Sequence, residues 1–409
     1  MILLRPYLVL AIFIIVYLPR ICGRIPADII SMGIFLILYM GYVANRSKGK
    51  HSVIVLDKLW MFFIPIFAFS FIPAAAQGDL YWIIWCSYTV IVAYTLPRIG
   101  SLLTTRQLNV SFYLCSLVVV CAIICELFGP KEVREYLGSL KISENVETIQ
   151  EYLIRFVGRY TGIIADVPST GGVLSLSIAV LTVFCCKKKA AEGTFACVLL
   201  TMMLFSMLFS SRLWLLMTAA FLIATVLLGR RPLAIVGGII GLTIFIMAVE
   251  FSEPVAAAVD MVKIVLPLLL LETEKVNAFS TVAQEYSALD MYANLGIFQQ
   301  LFGTGVTARY SYLPTDIGFL KYLICIGLLG TMVFVLSYLG VFFWLIYKYR
   351  GNLWMAPIAF STMALIAYNI KGTSLYGLYF FPMYVLLLTV CIKNAEEDKE
   401  KRQLFFKGY

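Results

Sequence analysis

Histidine is nearly missing from this chain. One, His51, stands among 409 residues, in the polar run "NRSKGKHSV". It reads as a solvated residue of a cytoplasmic loop, so the outer face contains no histidine at all. A polytopic acyltransferase, which usually relies on a histidine or another strong base within the membrane, loses support. Charge is also scarce, at 13% of residues. A soluble protein of this size has a polar surface to cover and needs more. The alternating apolar–polar pattern of an outer-membrane barrel is absent too. Cysteine is present, ten in all, yet no spacing suits a metal site or a disulfide framework. Most cysteines lie inside apolar runs (Cys86, Cys115, Cys121, Cys125, Cys197, Cys325), where they read as packing residues. Neither a metal nor another cofactor is expected.

What the chain has instead is apolar length. Hydrophobic residues make up 61% and the mean hydropathy is +0.92. Several runs reach the roughly 18 apolar residues that cross a bilayer. The expected fold is all-α: a polytopic integral membrane protein. About twelve transmembrane helices are expected, at 7–19, 26–43, 59–76, 80–97, 108–128, 166–186, 194–210, 213–229, 233–250, 317–347, 353–370 and 375–392. The first run lacks a small-residue cleavage site and is followed by Arg20 and Arg24, so it reads as a retained helix. The 317–347 run is long for one span and is expected to tilt or to extend beyond the membrane.

The net charge of +9 is spread between helices. It therefore reads as membrane orientation, with no nucleic-acid partner. With the N-terminus inside, most of the basic residues fall in cytoplasmic segments: Arg46 to Lys58, Arg98 and Arg106, Lys187 to Lys189, Arg230 and Arg231, Lys348 and Arg350, and the tail after Lys393. Both termini are then cytoplasmic. Two long segments fall outside, within a single membrane domain spanning 1–409. The first external loop, 129–165, contains an amphipathic stretch with Leu137, Leu140, Ile142, Val146 and Ile149 among charges. The second, 251–316, is too long for a plain connector. Its apolar part, 261–271, is too short to span and reads as re-entrant or interfacial.

Ionisable residues near the outer face carry the functional signal, because a charge at membrane depth usually faces a cavity. Arg212, in "LFSSRLWLLM", lies between two apolar runs against the positive-inside trend. Either it snorkels to the interface, or it contacts an anion at a serine-rich helix start. Arg159 lies in "RFVGRYTGIIADVPSTGG"; Arg155, four residues earlier, shares its helical face if this stretch is helical. Asp166 is either an N-cap or a partner for an arginine. Pro314-Thr315-Asp316 reads as a helix start, so Asp316 is either a cap or a general base, with Arg309 keeping it ionised or holding an anionic substrate. Tyr310, Tyr312 and Lys321 are candidates for the cavity lining. Glu126 and Glu250, near outer span ends, are weaker candidates.

The stretches "GRYTGIIADVPSTGG", "FSSRLWLL" and "FGTGVTARYSYLPTDIGFLKYLICIGLLG" resemble the O-antigen polymerase and ligase superfamily, specifically the Wzy-type polysaccharide polymerases. The last stretch is similar to the family's Gly-x-Gly turn, followed by a polar residue opening a helix and by spaced glycines, Gly327 and Gly330. The resemblance covers most of the chain by topology and these short stretches by motif. It implies a helical C-type glycosyltransferase (GT-C) architecture and glycosyl transfer on the outer face of the bacterial cytoplasmic membrane. A glycan on undecaprenyl pyrophosphate is the donor and a lipid-linked repeat unit the acceptor. A separate chain-length regulator is a family expectation. The residues supply matching parts. Arg159, Arg212 and Arg309 suit the pyrophosphate leaving group, whose charge develops in the transition state. Asp316 is the best base, with Glu285 second.

Two departures bear on the reading. Ligases of the superfamily carry a histidine where Asp316 stands, which favours a polymerase over an O-antigen ligase. An arginine often found upstream of the Gly-x-Gly turn is missing from "TVAQEYSALDMY"; either Arg309 takes its role or the correspondence ends there. The main rival is a lipid-linked oligosaccharide flippase. A flippase more often shows internal repeats and mid-membrane charges in broken helices, whereas no repeat is visible here.

Overall fold

The computed structural model describes residues 37, 40, 56–77, 80–101, 103–139, 167–187, 190–208, 212–228, 290–305, 318–350, 352–368 and 380–407. These residues are helical, with no strand among them. After a 3-10 turn at Leu59–Phe63, the helices are α1 (Ile64–Phe69), α2 (Phe71–Gln77), α3 (Tyr81–Ser101), α4 (Thr105–Phe128), α5 (Lys131–Ser139) and α6 (Val167–Lys187). They continue with α7 (Ala190–Leu208), α8 (Arg212–Leu228), α9 (Ile297–Phe302), α10 (Gly318–Tyr349), α11 (Met355–Tyr368) and α12 (Phe380–Lys407). Among the described residues, five segments are long and apolar enough to cross a membrane: Leu59–Ala76, Trp82–Ser101, Thr105–Phe128, Thr170–Lys187 and Phe319–Tyr349. Spans expected at 7–19 and 233–250, and all of 26–43 except residues 37 and 40, lie outside the described residues.

Two expected spans differ in detail. The 59–76 run is three short pieces. Pro65 and Pro73 lack the N–H of a continuing helix, and each ring crowds the carbonyl four residues back. The 317–347 run is broken at Gly327, whose backbone (φ 71, ψ −179) is not helical. Its excess length is thus taken up by a break.

The chain divides into two units. One comprises residues 103–274 and 394–409, with 1–27; the other comprises 28–102 and 275–393. In the first, α6 packs against α7 and α8, and α4 packs against α5 and α7. Helix α6 carries no charge before Lys187, and residues 170–184 are buried throughout, their hydroxyls included, as suits a central membrane helix. Thr104 starts α4 with a capping box: Gln107 N–H donates to the Thr104 hydroxyl at 3.2 Å, and Thr104 N–H to the Gln107 side chain at 3.0 Å. This ties down two of the N–H groups that a helix start leaves open. In the second unit, α10 packs against α1, α9 and α11. Its core holds Phe63 edge-on to Tyr338 and Phe381, with Tyr384 tilted against Tyr338, and the Thr362 and Tyr384 hydroxyls 2.8 Å apart.

Candidate functional site

In the first unit, buried hydroxyls set the direction of the helices. Ser175 on α6 and Thr218 on α8 share a hydrogen bond of 2.7 Å. Thr218 also donates back to the Trp214 carbonyl at 2.7 Å. Both residues lie two turns inside their helices, and α7 returns the chain between them, so α6 and α8 run parallel. The start of α8, which is Arg212, therefore lies level with the start of α6, immediately after Asp166. The ends of α4 and α7 reach the same end of the unit, where Phe128 and Phe205 stack at 6.4 Å.

The opposite end of α6 lies about 30 Å away at 1.5 Å per residue. There Lys187 pairs with Asp398, and Asn109 and Asn394 exchange amide hydrogen bonds of 3.1 and 2.8 Å. Arg212 thus stands at the far end of the unit from the basic residues of "KKK". It opens a helix whose first N–H groups have no intrahelical acceptor and whose dipole is positive there. Glu126, the last acid of α4, is buried at the same end (8% exposed). The sequence reading gave it little weight; a single carboxylate one turn before Gly129 was the signal.

In the second unit, the Gly303-Thr304-Gly305 turn is a clasp on the broken helix. Breaking α10 at Gly327 frees carbonyls that a continuous helix would use. Thr304 N–H and Gly305 N–H donate to the Ile324 and Cys325 carbonyls, both at 2.9 Å. The Thr304 hydroxyl adds a bond to Ile324 at 3.0 Å. Trp82, on the first turn of α3, donates its indole N–H to the Gly305 carbonyl at 3.0 Å. In a membrane such groups have no water to turn to, so the clasp is what makes the break tolerable. The fit is backbone on backbone: a Cβ at Gly303 would overlap the Cys325 carbonyl, and one at Gly327 would overlap Leu301 and Gly303. Both glycines have φ values, +85 and +71, that other residues rarely adopt.

The clasp fixes Gly305, four residues before Arg309, and α10 begins two residues after Asp316. It sits at the Trp82 end of α3. The other end of α3 collects basic residues: Arg98 pairs with Asp57 and lies 3.6 Å over the Tyr94 ring. Nearby, Lys393, just past the span at 375–392, donates to the Ser101 carbonyl at 3.2 Å. Burial pushes its ammonium down to about 8.

No family model and no curated protein matches this chain. The site is therefore judged on its own residues. Of the candidates, Lys321 is half-buried in the first turn of α10 and Arg212 heads α8. Arg155, Arg159, Asp166, Glu285, Arg309, Tyr310, Tyr312 and Asp316 lie outside the described residues. Among the described cysteines none is in a disulfide, and Cys86, Cys115, Cys325 and Cys391 are buried.

Proposed function

We propose that this chain is a polysaccharide polymerase of the inner membrane, about twelve spans with both termini cytoplasmic and a GT-C-like arrangement. It joins oligosaccharide repeat units carried on undecaprenyl pyrophosphate at the outer face. The observation that carries the reading is a polarity seen in each unit separately. In the first unit Arg212 and the residue after Asp166 stand at one end and Lys187 at the other; in the second, Gly305, four residues before Arg309, lies at one end of α3 and Arg98 at the other. By the positive-inside rule the basic ends are cytoplasmic, which leaves the candidate residues facing out.

In the proposed reaction an acceptor hydroxyl of the incoming repeat unit attacks the anomeric carbon of the growing glycan. The new glycosidic bond forms as the bond from that carbon to pyrophosphate oxygen breaks. Asp316 takes the hydroxyl proton, with Glu285 as second candidate. Arg159, Arg212 and Arg309 hold the departing undecaprenyl pyrophosphate, whose charge grows in the transition state. The apolar helix surfaces take the prenyl chains.

The broken helix α10 favours a second reading, a flippase for the same lipid-linked units, because discontinuous helices are a transporter device. Reconstitution separates the two. Purified protein in liposomes containing lipid-linked repeat units is expected to produce a ladder of longer glycans and free undecaprenyl pyrophosphate. Asp316→Asn is expected to lower the rate by about a hundredfold or more, the scale of general-base catalysis. Full activity in Asp316→Asn removes the base assignment; units crossing the bilayer with no change in length supports the flippase.

A further inference from the structure

Charge is out of balance in the second unit. Its described residues include two acids, Asp57 and Asp290, against six basic residues. Asp290 belongs to the segment that leads into the clasp, and Asp57 pairs with Arg98. The Arg98 end of α3 and the last turn of α10 lie together. Trp60 meets Tyr94 edge-on at 5.7 Å, and the nearby Phe62 meets Trp344 at 5.4 Å. That end therefore holds Lys58, Lys348, Arg350 and Lys393, with no further acid to balance them among the described residues. Lys393 is engaged with the Ser101 carbonyl. Lys58, Lys348 and Arg350 are exposed.

Arg350 is the decisive residue. It follows directly on α10, and its guanidinium lies 5.8 Å from the centre of the Tyr347 ring. Such a contact uses the charge and leaves the N–H donors available. The Arg350 side chain makes no hydrogen bond or ion pair among the described residues. Tyr347 is 77% exposed and ends a stripe on one face of α10. Met332, Leu336, Phe343 and Tyr347 follow one another at helical spacing, each half exposed or more, so they share a face. The stripe runs for about 22 Å at 1.5 Å per residue, inside a segment long and apolar enough to cross a membrane. A cation with spare donors at the end of such a stripe suits a phosphate that carries its own hydrocarbon chains. Lys58 and Lys348 at the same end disfavour a headgroup with a cationic amine. We infer that this end of the second unit holds an anionic phospholipid, namely phosphatidylglycerol. Its phosphate accepts from Arg350 and the Tyr347 hydroxyl, and an acyl chain lies along the stripe.

Native mass spectrometry of the full chain tests this, with phosphatidylglycerol and phosphatidylcholine of identical acyl chains. Retention of the anionic lipid is expected to be greater by at least about fivefold, the scale of one basic residue at an anionic membrane surface. Arg350→Gln, on an exposed residue beyond the last turn of α10, leaves the helix intact and is expected to lower that preference by about fivefold. Arg106→Gln, on an exposed arginine of the first unit, is the control and is expected to leave the preference in place. Equal retention of the two lipids overturns the proposal. So does an equal loss in the two arginine variants, which would mean attraction to surface charge at no particular place. Displacement of the lipid by inorganic phosphate at the same concentration also overturns it, since the stripe would then contribute nothing.

Discussion

Arg212→Ala is expected to stop polymer formation while leaving the protein in the membrane at normal amount. Arg212 is the first residue of α8, and alanine is a good helix former at such a position. What the substitution removes is a planar fork of donors at the positive end of a helix dipole, where the proposed reaction puts a pyrophosphate that gains charge as it leaves. Loss of one such donor lowers a rate by about 10²- to 10³-fold. The measurement is the glycan ladder made by the purified variant, compared with wild type at equal protein. Arg212→Lys restores the charge without the fork and is expected to recover only part of the activity. Full activity in the lysine variant rules out a bidentate contact. Full activity in the alanine variant returns Arg212 to the role of an interfacial anchor.

Gly327→Ala is expected to be the most damaging small substitution in the second unit. The residue holds φ 71 and ψ −179, a region that costs a non-glycine residue about 1–3 kcal/mol. The added methyl also overlaps the backbone of Leu301 and Gly303. Backbone cannot swing aside as a flexible side chain can, so the clasp must open. The Ile324 and Cys325 carbonyls then lose the Thr304 and Gly305 N–H groups, at about 1–3 kcal/mol for each group left buried and unsatisfied. Together these effects put the change at about 3–9 kcal/mol, reaching the exceptional range for one substitution. Thermal unfolding in detergent is expected to fall by at least about 3 °C, or the variant to be lost from the membrane. Gly296→Ala is the control. Its φ is −61 and nothing lies within 4 Å of an added Cβ, so its unfolding temperature is expected to stay close to wild type. Equal behaviour of the two alanine variants contradicts the clasp.

The helical, membrane-spanning character of the chain was legible because apolar length is a one-dimensional property. Runs such as "LVVVCAIICELF" announce a span with no knowledge of their neighbours. The breaks were harder to see. Gly303, Thr304, Gly305 and Gly327 each stand out as punctuation, yet their relation is a contact between segments about twenty residues apart. Only the structure shows that the turn serves the break. The motif that first looked like part of a substrate loop is, through residue 305, a support for the helix that follows it. Pro65 and Pro73 announce the divided 59–76 segment more openly.

Charge distribution is where sequence and structure join most closely. Arg106 and Lys187 in the first unit lie at one end, and Arg98 in the second lies at the end of α3 away from Trp82, as orientation by loop charge requires, while Lys131 and Arg134 of α5 and Lys321 of α10 lie towards the opposite ends. Arg212 stands apart from that pattern in the sequence, and it stands at the other end of its unit in the structure.

The central claim is that the chain lengthens lipid-linked glycans. The most direct measurement is to delete its gene in the cell that carries it and to resolve surface and lipid-linked glycans by size. The account predicts single repeat units in place of the ladder, borne on undecaprenyl pyrophosphate and facing outward. An unchanged ladder, or repeat units held on the cytoplasmic face, contradicts it.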